Sequence, residues 1–201
     1  MKKKLKIGID LDGTLADYRK AVVNFLNEKY SKNYTLSDVK RDDCYDVLGK
    51  TMLSRAVKLK KFYKYTKSLS KIEPIGSSIP IIRRFHKNNY ELYIVTSRFI
   101  GFSKASKEWI DKHFGKHLFK KIIFSKILAS YATKLKIKKY KRMKVDLVID
   151  DPPYVAEKCA KLGIPVILLD YSWNKNIKIP GVIKAKNWKE IDNIVNKMSN
   201  N

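Results

Sequence analysis

The chain has 201 residues, 44% of them hydrophobic, and carries 44 Lys and Arg against 19 Asp and Glu, for a formal net charge of +25. That length can bury one sizeable core plus a small insertion; with no apolar run approaching about 18 residues, a transmembrane helix is not expected. The basic start, Met1-Lys2-Lys3-Lys4, is followed by Lys6, Asp10 and Asp12, which argues against a signal peptide, and the distant Cys44 and Cys159 suit a reducing, cytoplasmic setting.

Taken in order, the chain opens on a short apolar run, Leu5 to Ile9, that reads as a buried strand. It ends in Asp10-Leu11-Asp12-Gly13-Thr14. Positions two apart on a strand point to one side, so Asp10 and Asp12 repel each other unless a cation, a proton or a turn compensates them. Gly13 permits a sharp turn or the close approach of a ligand. From Asp17 the apolar spacing becomes helical: Ala21, Val22, Phe25, Leu26 and Tyr30. Thr35-Leu36-Ser37-Asp38 caps a further short helix, and one or two more follow, interrupted near Gly49. Residues 17–71 are therefore read as a helical insertion, closed by the turn residues Glu73-Pro74-Ile75-Gly76.

Beyond the insertion, helix and strand alternate. A helix over 78–88 leads to the strand Tyr90 to Val95, which runs into Thr96-Ser97-Arg98. A helix over 103–114, a strand at 122–124 and a very basic helix over 126–143 come next. The strand Val145 to Ile149 runs into Asp150-Asp151-Pro152-Pro153. A helix over 154–162, a fifth strand over 165–169 and a tail helix over 188–198 complete the chain. The pattern predicts an α/β fold with a Rossmann-like, three-layer parallel sheet. Residues 1–16 and 72–201 would form its core, and the helical insertion after the first strand would form a small cap.

In a parallel sheet all the C-terminal strand ends lie on one edge. Asp10/Asp12, Thr96/Ser97/Arg98 and Asp150/Asp151 therefore converge. Four carboxylates there require a divalent cation, and an all-oxygen ligand set favours Mg2+. The hydroxyls and Arg98 offer donors to an anion. These are parts for phosphoryl transfer: a carboxylate nucleophile, an acid/base, a metal and phosphate-binding donors. The stretch Lys104 to Lys144 holds 14 basic and 2 acidic residues, a field that attracts phosphorylated partners. A lysine-rich solvated face explains it as well, so a dedicated nucleic-acid role is not favoured. His86, His113 and His117 fit no ligand or triad arrangement.

Asp10-Leu11-Asp12-Gly13-Thr14, then Thr96, then lysines, then Asp150-Asp151 resembles the haloacid dehalogenase (HAD) phosphatases across essentially the whole chain. The resemblance implies that Asp10 is the nucleophile and forms an aspartyl-phosphate, and that Asp12 is the acid/base. It implies that Thr96 holds the phosphoryl group beside Gly13, Thr14, Ser97 and Arg98. Asp10, the Asp12 backbone carbonyl and Asp150 would bind Mg2+, with Asp151 in support. Lys134 best matches the family's lysine, with Lys141 and Lys144 as alternatives. Val95 to Arg98, Glu108-Trp109-Ile110, Gly163 to Leu168 and Asn187 to Ile191 are similar to the 5′(3′)-deoxyribonucleotidase family and its prokaryotic relatives. That narrower resemblance implies a small phosphorylated substrate, a nucleoside monophosphate; Tyr18, four residues after Thr14 at the junction of core and insertion, is placed by position to stack on a base. The insertion lacks the adjacent Trp pair of some members, which leaves pyrimidine preference open. The rival readings are a phosphatase of nucleic-acid ends or sugar phosphates, and an inactive binding protein with this fold.

Overall fold

The structure, a computed structural model, describes residues 3–65, 69–126 and 132–200. Six strands form one parallel sheet: β1 (Lys6–Ile9), β2 (Glu91–Phe99), β3 (Lys121–Lys126), β4 (Leu147–Asp150), β5 (Val166–Leu169) and β6 (Val182–Ala185), in the order β3-β2-β1-β4-β5-β6. The insertion contains α1 (Tyr18–Tyr30), a 3-10 turn at Leu36–Asp38, α2 (Tyr45–Leu48) and α3 (Met52–Tyr65). Among the described residues the remaining α-helices are α4 (Ser78–Lys87), α5 (Ser103–Phe114), α6 (Ala132–Met143), α7 (Pro153–Ala160) and α8 (Trp188–Asn200).

Period-two alternation sends strand side chains to two cores. Leu92 and Ile94 of β2 pack with Phe85 of α4, Trp109 of α5 and Trp188 of α8. Tyr93 and Val95 pack on the other face with Ile137 and Tyr140 of α6 and Cys159 of α7. The three expected layers result. Gly8 has a steric reason: a Cβ there would stand 2.5 Å from Tyr140 Cε1. Phe25 and Leu26 of α1 and Phe62 of α3 join the first core, so the insertion docks on the sheet through apolar burial. The chain leaves and re-enters the sheet region side by side. Asp17 N donates to Glu73 O at 2.8 Å, and Ile75 N to Leu15 O at 2.8 Å.

Three features differ from the sequence reading. The second strand continues through Thr96, Ser97 and Arg98 to Phe99, and its register with β3 shifts between Thr96 and Phe99. Such irregularities redirect side chains beside functional sites. Of the span expected for the basic helix, Lys126 belongs to β3, 127–131 lie outside the described residues, and Ala132–Met143 is α6. The sixth strand, β6, has no counterpart in the predicted elements. It is a four-residue edge, with Ile183 exposed and Lys184 in its middle, so it lacks the continuous apolar run of a buried parallel strand.

Strand order reverses between β1 and β4, since β2 and β3 extend to one side and β5 and β6 to the other. Ligand crevices in open α/β sheets open beyond the strand ends at such a switch. Asp10 follows β1, Asp150 ends β4, and Asp10 N donates to Ile149 O at 3.0 Å.

Candidate active site

The adjacency of β1 and β4 forces three carboxylates together. Asp10, Asp150 and Asp151 each offer an oxygen within 4.8 Å of the others, and all three are buried. Two cations hold them. Lys136 Nζ lies 2.9 Å from Asp10 Oδ1 and 2.8 Å from Asp150 Oδ2. Arg19 forms a buried ion pair with Asp151 Oδ2. Asp150 Oδ2 also accepts from Tyr140 OH at 3.4 Å, and its Oδ1 accepts from Asp151 N at 3.1 Å. Asp151 Oδ1 is buried with no hydrogen-bond partner. A buried carboxylate oxygen left so, within an all-oxygen cluster, fits a hard divalent cation. The residues that could hold one are Asp10, Asp150 and Asp151.

Electrostatics follow from this crowding. Burial, reinforced by Asp10 and Asp151 and opposed by Lys136, pushes Asp150 up to about 8. Burial and the charge of Asp10 push Asp151 up to about 6 against the pull of Arg19. Burial likewise raises Asp10 despite Lys136. Burial disfavours the Lys136 ammonium, but Asp10 and Asp150 outweigh it and raise its pKa. The carboxylates thus bind protons more readily folded than unfolded, where their ordinary value is 3.8. The metal-free fold is expected to lose stability as pH rises from about 4 toward about 8, because the unfolded chain releases these protons first. A saturating divalent cation should flatten that slope by displacing the protons. Thermal unfolding across this pH range, in chelator and in cation, measures both.

Asp12 stands apart from the cluster. Arg98 grips it with both prongs: Nε donates to Oδ2 at 2.7 Å and Nη2 to Oδ1 at 2.6 Å. Arg98 Nη1 is anchored on Ser106 Oγ of α5 at 3.1 Å. Arg98, expected as a phosphate donor, is instead committed to a carboxylate. Thr96 is buried, and its Oγ1 accepts from Arg98 N at 3.1 Å. Gly13 takes φ +80°, and its N–H donates to Ala16 O at 2.9 Å. Thr14 is buried, and its N–H reaches Leu11 O at 3.4 Å. Gly13 and Thr14, expected beside the phosphoryl group, spend their amides closing their own turn.

A cavity of about 360 Å³ opens over Asp10, Asp12, Lys136 and Asp151. Ser97, Arg98, Phe99 and Tyr154 line it from the sheet side; Tyr18, Tyr45 and Tyr63 line it from the insertion. Tyr18 meets Phe62 edge-on at 5.4 Å, and Tyr63 stacks on Phe102 at 4.0 Å. Tyr154 OH donates to Asp42 Oδ2 at 2.8 Å, tying α7 to the insertion.

The expected lysine is corrected. Lys134 is exposed, as are Lys141 and Lys144; Lys136 occupies the site. Helical spacing carried the signal, since Lys136 precedes Tyr140 by four positions and shares its buried face with Ile137. Arg19 was missed too. It stands three and four positions before the buried Val22 and Val23, a charge set in an apolar stripe.

The model of the family described as 5′ nucleotidase, deoxy (pyrimidine), cytosolic type C matches residues 3–199. A nucleotidase of Clostridium acetobutylicum is 23% identical over 198 residues, covering 98% of this chain and 96% of that protein. A haloacid dehalogenase-like hydrolase of Streptococcus pneumoniae shares the fold with a TM-score of 0.65 at 14% identity, covering 95% of this chain and 98% of its own. YfnB of Bacillus subtilis, described as a HAD-hydrolase and solved with magnesium, also scores 0.65 at 16% identity, covering 96% and 100%. With carboxylates, a buried lysine and a cavity at the switch point, and a family match over nearly its whole length, the chain belongs to the cytosolic type C 5′-nucleotidase family of HAD-fold phosphoric monoester hydrolases.

Proposed function

We propose that the chain is a Mg2+-dependent phosphatase of nucleoside monophosphates that works through an aspartyl-phosphate on Asp10. The observation that carries this reading is the carboxylate cluster Asp10, Asp150 and Asp151 at the floor of an aromatic-lined cavity. About 360 Å³ lies within the usual range for small-molecule sites. Mg2+ held by Asp10, Asp150 and Asp151 would neutralise charge on the carboxylates and the phosphoryl oxygens.

An Asp10 carboxylate oxygen attacks phosphorus, and the bond to the leaving oxygen breaks as Asp12 delivers a proton to it. Water then attacks the phosphoryl group and gives its proton to Asp12, which releases phosphate and restores Asp10. Both Asp12 oxygens are held by Arg98, so proton transfer requires one of those contacts to loosen. Ser97 and Thr96 are assigned to the phosphoryl oxygens. Thr96 Oγ1, already an acceptor from Arg98 N, keeps its own proton to donate. Lys136 holds Asp10 in place. Residues 17–71 act as the cap and set selectivity. Asp12→Asn should slow turnover by a factor on the order of 10²–10⁴.

Phosphate release from a panel of nucleoside monophosphates, sugar phosphates and 3′- or 5′-phosphorylated oligonucleotides tests the substrate class. Nucleoside monophosphates are expected to lead. A preference for sugar phosphates or oligonucleotide ends would reject the nucleotidase reading and leave the phosphatase one. Tyr18 lines the cavity at the start of α1, where a base could stack, an interaction worth about 1–3 kcal/mol. Tyr18→Ala should raise KM for the nucleotide more than for a small aryl phosphate; equal effects would leave Tyr18 a packing residue against Phe62.

A further inference from the structure

Asp151 is gripped from behind. Arg19 takes its Oδ2, and Asn174 Nδ2 donates to its backbone carbonyl at 2.9 Å. Arg19 belongs to the first turn of α1, far from Asp151 in sequence, and is almost fully buried. Its guanidinium lies on the Trp173 ring, with Cζ 3.8 Å from the centroid. Trp173 in turn stacks on Tyr171 at 4.3 Å and 13°. Tyr171 OH donates to Gly13 O at 2.8 Å, which closes the assembly onto the nucleophile loop. A Cβ on Gly13 would collide with Arg19 Nη1 and stand 2.7 Å from Asp151 Oδ1, so this glycine is what lets Arg19 reach its partner. The oxygen left over, Asp151 Oδ1, is the buried one with no hydrogen-bond partner.

The geometry points to Arg19 as a positioning residue of the cation site, with Trp173 as the plate that fixes it. By occupying Oδ2, Arg19 fixes the Asp151 carboxylate so that Oδ1 is the oxygen presented to the ion. The assignment rests on the metal-centre reading above. Positioning and plain charge make opposite forecasts. If Arg19 acted only as a nearby positive charge, removing it would tighten cation binding. If it aims the carboxylate, removing it weakens binding, and so does removing the neutral ring beneath it. Partners of metal ligands commonly contribute about 10–100-fold in affinity.

Calorimetric titration of the intact chain with Mn2+, alongside the Mn2+-induced rise in Tm, separates these cases. Arg19→Met, Arg19→Lys and Trp173→Leu are each expected to weaken Mn2+ binding by about 10–100-fold. Trp173→Phe, which keeps an aromatic face, should retain wild-type affinity. The lysine variant keeps the charge but loses the planar fork, so its loss reports positioning directly. Tighter binding by Arg19→Met, or wild-type affinity in Trp173→Leu and Arg19→Lys, overturns the assignment while leaving the metal centre intact. If the wild type binds no Mn2+, or Asp150→Asn binds it as tightly as the wild type, the metal centre itself falls, and the role of Arg19 with it.

Discussion

Asp10→Asn is expected to abolish metal-dependent phosphate release while the chain stays folded. The amide is a poor nucleophile and a poor ligand for a hard cation, so both proposed duties of this residue fail together. Folding should survive for an electrostatic reason. Asp10 is buried beside Asp150 and Asp151, and burial with like charge nearby disfavours its ionised form. Neutralising it relieves that repulsion and leaves Lys136 paired with Asp150 at 2.8 Å. The metal-free variant should therefore unfold at a temperature equal to or above that of the wild type. Phosphate release from a nucleoside monophosphate and from an aryl phosphate, with circular dichroism of the same preparation, tests both halves. Wild-type-like turnover would reject Asp10 as the nucleophile.

Lys136→Met should remove activity and stability together, and Lys134→Met should remove neither. Lys136 is buried between Asp10 and Asp150, so its loss leaves two buried carboxylates without their shared counter-charge. Breaking a buried ion pair by deleting one partner costs about 3–5 kcal/mol. Saturating divalent cation should restore part of that stability, since it supplies the missing positive charge in the same place. Lys134, two residues earlier, is exposed, and its substitution should stay within about 0.5 kcal/mol of wild type. Chemical denaturation of both variants, with and without cation, distinguishes them. An unperturbed Lys136→Met would make the buried lysine dispensable.

Much of this protein was legible in the residues alone. Apolar runs ending in Asp10, Thr96 and Asp150 fixed the parallel sheet and the edge on which chemistry gathers, because side-chain alternation and strand direction are local properties. The acidic stations were readable for the same reason: each sits at the end of an apolar strand or one to three residues beyond it. The weak sixth strand escaped because an exposed edge needs no apolar run, and only pairing with β5 makes it a strand.

Helical spacing left a trace of Lys136 and Arg19, but the tertiary structure decided which basic residues serve the site. Fourteen basic residues crowd the stretch from Lys104 to Lys144, and composition treats them alike. Packing of α6 on β2 and β3 buries Lys136 and leaves Lys134, Lys141 and Lys144 in solvent. Arg98 and Arg19 follow the same rule. The anchor on Ser106 sets Arg98 on Asp12 rather than toward an anion, and the Trp173 plate, 154 positions from Arg19, sets that arginine on Asp151. Carboxylates at strand ends are placed by the strand that carries them. Long basic side chains are placed by whatever surface packs along them, and that surface comes from elsewhere in the chain.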